Sequence, residues 1–139
     1  MPLHVRHAIL AALLSQSLPA EAGQFFCAAD LSTGFKFTGT GWLSTNFIVT
    51  DMRFTIAPAD SSGSTYTVTK LGEAYPTHRC TNDLPPGGPI HLLCGGLGSG
   101  FVFNEATLRF QETYGFGFID GDSTQDTPAI TIGKCSSIP

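Results

Sequence analysis

Leu108-Arg109-Phe110-Gln111-Glu112-Thr113-Tyr114-Gly115-Phe116-Gly117-Phe118 is the stretch on which the fold turns. Read with the two-residue period of a β-strand, it places Leu108, Phe110, Tyr114, Phe116 and Phe118 on one face. Arg109, Gln111, Thr113 and the two glycines take the other. Glu112 falls on the aromatic face, where a carboxylate is paired, near a strand end, or lining a pocket. Glycine opposite an aromatic row marks a bent strand or a second backbone lying close, which favours closure into a barrel.

Working outward, the neighbouring segments are also short, alternating and bounded by turn formers. Phe35-Lys36-Phe37-Thr38, Tyr66 to Leu71, Ile90 to Cys94, Phe101-Val102-Phe103 and Pro128 to Ile132 read as strands. Between Phe47 and Ile56 the apolar parity switches from odd (Phe47, Val49) to even (Met52, Phe54, Ile56). That places a bulge, or the end of one strand and the start of the next, near Asp51. Turn-rich stretches separate the strands at Ala59 to Ser64, Pro85 to Pro89, Gly95 to Gly100 and Asp120 to Thr124. No segment has strong helical periodicity. The expectation is an all-β, single-domain antiparallel β-barrel or sandwich.

The first 23 residues, MPLHVRHAILAALLSQSLPAEAG, have a different character. Arg6, with His4 and His7, gives a weakly basic start, Ala8 to Leu14 an apolar run, and Ala20-Glu21-Ala22 a small-x-small cleavage pattern. This is the layout of a secretory signal peptide over residues 1–23, with the folded domain in 24–139 and a secreted, extracellular location. The apolar run is too short to span a bilayer. Removing Arg6 and Glu21 with the leader takes the totals of seven basic and eleven acidic residues to six and ten, leaving the charge at −4. An acidic chain without a basic cluster is unsuited to gripping nucleic acid or an anionic membrane. All eleven Phe, all three Tyr and the single Trp42 lie after the leader, enough for one core.

Cys27, Cys80, Cys94 and Cys135 all follow the leader. Four cysteines allow three pairings. Cys80 and Cys94 bracket the Pro/Gly-rich loop next to strand candidates, while Cys27 and Cys135 stand near the two ends of the domain, so the nested pairing Cys80–Cys94 with Cys27–Cys135 is expected. A metal site is disfavoured because no Cys-x-x-Cys spacing is present.

Taken together, Cys80, Leu92-Leu93-Cys94, Phe101-Val102-Phe103, Leu108-Arg109-Phe110 and Ala129-Ile130-Thr131-Ile132-Gly133-Lys134-Cys135 resemble the Alternaria major-allergen family of small secreted fungal proteins. The Phe47 to Ile56 segment resembles that family's paired early strands. The resemblance implies an antiparallel β-barrel without enzymatic activity or cofactor, acting as an effector, elicitor or allergen toward plant hosts. The partner it implies is a host extracellular protein or a small phenolic ligand. Allergen-type members carry two late cysteines and an early unpaired one that joins two subunits. This chain has one late cysteine, Cys135, so a monomer or non-covalent dimer is expected.

Other motifs carry less. Gly95 to Gly100 lacks the lysine and helix of a phosphate cradle and reads as a turn. Asp120 to Asp126 holds three carboxylates but not the later glutamate of a calcium loop, so it reads as a solvated hairpin turn and no metal is assigned. No Gly-x-Ser-x-Gly elbow is present. Trp42 and Tyr75 read as core aromatics, with an exposed binding patch as the alternative. The enzymatic alternative is a small secreted hydrolase such as a ribonuclease, drawing on His78, His91, Glu105, Glu112, Arg79 and Arg109 for acid–base work and phosphate stabilisation. Against it, Arg109 and Glu112 point to opposite faces of a regular strand.

Overall fold

The computed structural model describes residues 23–60, 65–85, 87–96, 98–121 and 126–139. The leader, apart from Gly23, and the centre of the acidic loop, residues 122–125, lie outside the described residues. Among the described residues nine strands form one sheet: β1 (Gln24–Phe37), β2 (Trp42–Phe47), β3 (Arg53–Pro58), β4 (Tyr66–Lys70), β5 (His78–Asn82), β6 (His91–Gly96), β7 (Ser99–Asn104), β8 (Arg109–Tyr114) and β9 (Ala129–Ile138). A four-residue helix, α1 (Phe116–Ile119), lies between β8 and β9.

From β3 to β9 each strand pairs antiparallel with the next, and β9 closes on β1 over ten residue pairs from Gln24↔Ile138 to Gly34↔Ala129. The other edge of β1 is shared. Its first half pairs with β3 (Phe25↔Ile56 to Ala28↔Arg53) and its second half with β2 (Ser32↔Phe47 to Phe37↔Trp42). The result is an eight-stranded closed barrel carrying a β1–β2 hairpin on one flank. Closure removes the open edges that an antiparallel sheet would otherwise expose.

β1 changes parity part-way. The β9 register shifts between Ala29 and Leu31, so Asp30 is the extra residue of a bulge. Before it Phe25 and Cys27 face inward; after it Ser32 does. The core is the inward row of each strand: Phe25, Cys27, Phe54, Ile56, Tyr66, Val68, Cys80, Leu92, Cys94, Phe101, Phe103, Phe110 and Cys135. Phe101 and Phe110 stack with ring centroids 5.0 Å apart, and Phe54 meets both edge-on at 5.5 Å. Such ring pairs add to the burial energy of the side chains themselves.

Both disulfides have the nested pairing, Cys27–Cys135 and Cys80–Cys94. Each joins residues directly opposite on neighbouring strands, β1 to β9 and β5 to β6. No cysteine is left free.

Residues 108–118 do not form one strand. Leu108 sits in the β7–β8 turn with φ +54°, the strand proper ends at Tyr114, and Phe116 and Phe118 ride on α1 outside the barrel wall. The Gly-Phe alternation has a second cause. A side chain at Gly117 would run into the Asp126 carboxyl, so glycine there lets the helix pack on the returning loop. The parity switch near Asp51 is the end of β2 and the start of β3, and Gly98 makes the β6–β7 turn with φ +65°.

Candidate functional site

The two ends of the barrel differ. At one end lie the β3–β4, β5–β6 and β7–β8 connections. At the other lie the β2–β3, β4–β5, β6–β7 and β8–β9 connections, and there the inward row stops being apolar. Lys70 continues the inward series of Tyr66 and Val68 on β4. Glu112 continues that of Phe110 on β8 and lies opposite Phe101 on one side and Thr131 on the other. Thr131 in turn faces Ser32, and their buried hydroxyls are 2.9 Å apart. His78 opens β5, one strand step above Cys80.

These side chains line two adjoining cavities at the open end. One, of 430 Å³, is walled by Lys70, Thr77, His78, Ser99, Glu112 and Phe116, among others; the second, of 220 Å³, by Phe47, Met52, Lys70, Glu112 and Thr131, among others. Lys70, Glu112 and Tyr114 belong to both. The mouth of a β-barrel is a common place for a small-molecule site, with a few polar groups on a mainly apolar wall.

His78 is the most informative of them. It is 4% exposed, and its ring lies 5.8 Å from that of Phe101. Nδ1 is 3.1 Å from the Thr77 hydroxyl, and that hydroxyl donates its own proton to the Val68 carbonyl at 3.1 Å. With the Thr77 hydroxyl donating to Val68, the ring hydrogen is assigned to Nδ1, which makes Nε2 the acceptor. Nε2 is buried and has no hydrogen-bond partner among the described residues. Burial also lowers the pKa of the imidazole below its ordinary value, holding the ring neutral. A buried, unfilled acceptor is costly unless a ligand or another group satisfies it.

Glu112 is perturbed the other way. Burial raises its carboxyl pKa, and the charge of Lys70 only partly opposes that. The Tyr114 hydroxyl donates to Asp126 Oδ1 at 3.1 Å; burial first, and then this bond and the Asp126 charge, raise its pKa. The same bond ties the α1 loop to the rim of the mouth.

The sequence-derived hydrolase set is thus divided. His78 and Glu112 share a cavity. His91 is at the opposite end, its Nδ1 2.9 Å from Asp83 Oδ1, and the Glu105 carboxylate there accepts from the Ile90 N–H at 2.7 Å. Arg79 and Arg109 are exposed on the outer wall. Lys70, Ser99 and Tyr114 were not singled out from sequence, although Lys70 was visible as a charge in phase with Tyr66 and Val68. The core assignments of Trp42 and Tyr75 are corrected. Tyr75 is 80% exposed in the β4–β5 turn, and Trp42 lies half-buried on the hairpin against Phe37 and Phe118, because the β1–β2 extension runs past the barrel wall. Among the described residues no group of three or more His, Cys, Asp or Glu is placed to hold a metal ion, and no helix is long and apolar enough to cross a membrane. Of the acidic loop, Asp126 is engaged by Tyr114, while Asp122 lies outside the described residues.

Comparison with protein-family models, with curated proteins and with solved structures finds no match to this chain.

Proposed function

We propose that this protein is an extracellular, non-enzymatic binding protein that holds a small phenol in the open end of its barrel. The observation that carries the proposal is His78: a neutral ring in the cavity wall whose Nε2 lacks a donor. A phenolic hydroxyl supplies that donor when the ring turns its buried Nε2 toward the cavity. Lys70 offsets the negative charge that develops on the oxygen, and Tyr114 and Phe116 offer ring faces for the apolar body. Two disulfides support a place outside the reducing cytosol. The likeness of the cysteine and strand pattern to the Alternaria major-allergen family supports a role as an effector or allergen toward a plant host.

Calorimetric titration with simple phenols and their O-methyl ethers tests the ligand. Methylation removes the donor and is expected to weaken binding by about tenfold or more, the worth of one buried hydrogen bond. His78→Ala removes the distinction between phenol and ether. Equal affinity for both by the unaltered protein rejects the proposal. The plant-facing part predicts that purified protein infiltrated into leaf tissue triggers or suppresses a defence response, and the absence of either removes it.

One arrangement favours a second reading. His78, Glu112 and Lys70 in a single cavity amount to a base, an acid and a cation, the ingredients of RNA cleavage. RNA hydrolysis lost in His78→Ala but kept in His91→Ala supports that reading. No hydrolysis by the unaltered protein ends it.

A further inference from the structure

Outside the barrel interior, the outer face of the β1–β2 hairpin carries a third concavity. Phe35, Trp42, Phe118 and Pro128 line a cleft of 310 Å³ in which no polar atom of the described residues surfaces. Trp42 sits between two other rings, 5.4 Å from Phe37 and 5.3 Å from Phe118, the latter edge-on. Most of the chain's phenylalanines are buried or half-buried, yet Phe35 and Phe118 are 52% and 53% exposed.

The cleft is held open by backbone and loop contacts. The Phe35 N–H donates to the Pro128 carbonyl at 2.8 Å, and a side chain at Gly34 would strike the Pro128 carbonyl oxygen, so glycine is needed for that approach. On the far wall, the Tyr114–Asp126 bond and the packing of Gly117 on Asp126 fix α1, which presents Phe118. Two separate segments, a hairpin and a short helix, are thus brought together around three aromatic side chains.

Ligand class follows from what the walls lack and what surrounds them. A sugar, amide or carboxylate would lose its water here and gain no hydrogen bond in return. A weakly hydrated cation loses little and gains the attraction of each ring face. The electrostatic setting favours that choice. The chain carries a net charge of −4, Asp120 follows Phe118 by two residues, and Asp126 precedes Pro128 by two. Lys36 pairs across to Leu43 on the hairpin's opposite face, away from Phe35 and Phe37.

We propose that the Phe35–Trp42–Phe118 cleft is an aromatic cage for a quaternary ammonium group, the head of a choline-type ligand. It is separate from the phenol site and does not depend on it.

Trp42 is the only tryptophan of the chain, so its emission reports this cleft alone. Titrating the whole protein with choline chloride, with sodium chloride as the ionic-strength control, is expected to give a saturable change in that emission. The neutral isostere 3,3-dimethylbutan-1-ol is expected to bind about tenfold more weakly or worse, because it has the shape without the charge. Phe118→Leu keeps apolar bulk, removes one ring face and lowers choline affinity several-fold, while leaving phenol binding at the mouth unchanged. Circular dichroism of the variant checks that the fold survives. Equal binding of choline and the neutral isostere would make the cleft a simple apolar slot and overturn the proposal. No saturable response to choline also overturns it. Neither result touches the phenol reading, whose titration is independent.

Discussion

Removing the two disulfides one at a time should cost different amounts, in an order fixed by the topology. Cys27–Cys135 joins the first strand to the last across a sequence separation of 108; Cys80–Cys94 clips a hairpin, with a separation of 14. In the chain-entropy treatment the lost constraint on the unfolded state is about 2.1 + 1.5R ln n cal/mol/K. That gives about 4.8 kcal/mol for the long loop and about 3 kcal/mol for the short one at 25 °C. Both pairs lie within regular strand ladders and are buried, so changes in native packing are similar and the loop term decides. The double variant Cys27→Ala/Cys135→Ala should therefore unfold about twentyfold more readily than Cys80→Ala/Cys94→Ala, the equivalent of about 1.8 kcal/mol. Urea denaturation followed by Trp42 emission and far-ultraviolet circular dichroism measures both. Equal losses, or a larger loss from the hairpin disulfide, would refute the reasoning, because they would mean that the β1–β9 seam is held mainly by something other than its covalent tie.

Three further outcomes follow from the interior. Glu112 has its folded-state pKa raised above the ordinary 4.5, so its contribution to stability is full below that value and is lost as pH rises through the folded value. Glu112→Gln should accordingly melt higher than the unaltered protein at pH 7 and lose the advantage near pH 4; a lower melting temperature at pH 7 would contradict it. His78 runs oppositely: its pKa is depressed below 6.5, so the stability it gives is present above that value and is lost as pH falls through the folded one, and His78→Phe should be less sensitive to acidification between pH 6.5 and 5 in thermal melts. A side chain at Gly133 would collide with the Ala28 carbonyl oxygen and the Phe110 ring, so Gly133→Ala should destabilise by about 3 kcal/mol. Gly41→Ala, which meets nothing within 4 Å, serves as the neutral comparison in the same denaturation series.

How much of this was legible in the sequence depended on whether local alternation and tertiary placement agreed. They agree in Arg53–Ile56, Tyr66–Lys70, Ser99–Asn104 and Arg109–Tyr114, where each inward residue is apolar until the polar end of the barrel. The cysteine pairing was legible because the short loop and the chain ends each suggest a partner. β1 was not read as one strand of 14 residues, because the Asp30 bulge breaks its period and its edge is divided between β2 and β3. Phe116 and Phe118 follow the strand's two-residue rhythm but belong to a helix, since contact with Asp126 rather than parity decides that segment. Glu112 was legible as an acid out of place. Its company was not: Lys70 and His78 join it only through the barrel's closure, which no single strand records.

The pairing of β1 with β9 also bears on how the chain folds. Every other neighbour pair in the barrel links strands close in sequence, but this seam must wait until the last strand has been made. Until then β1 and β8 each present an open edge, and the aromatic interior stands exposed between them. Non-local pairing of this kind slows folding and lengthens the time during which strands from two molecules can pair with one another. The barrel, whose eight-stranded wall leaves no gap once finished, is thus most vulnerable to aggregation just before its final strand docks.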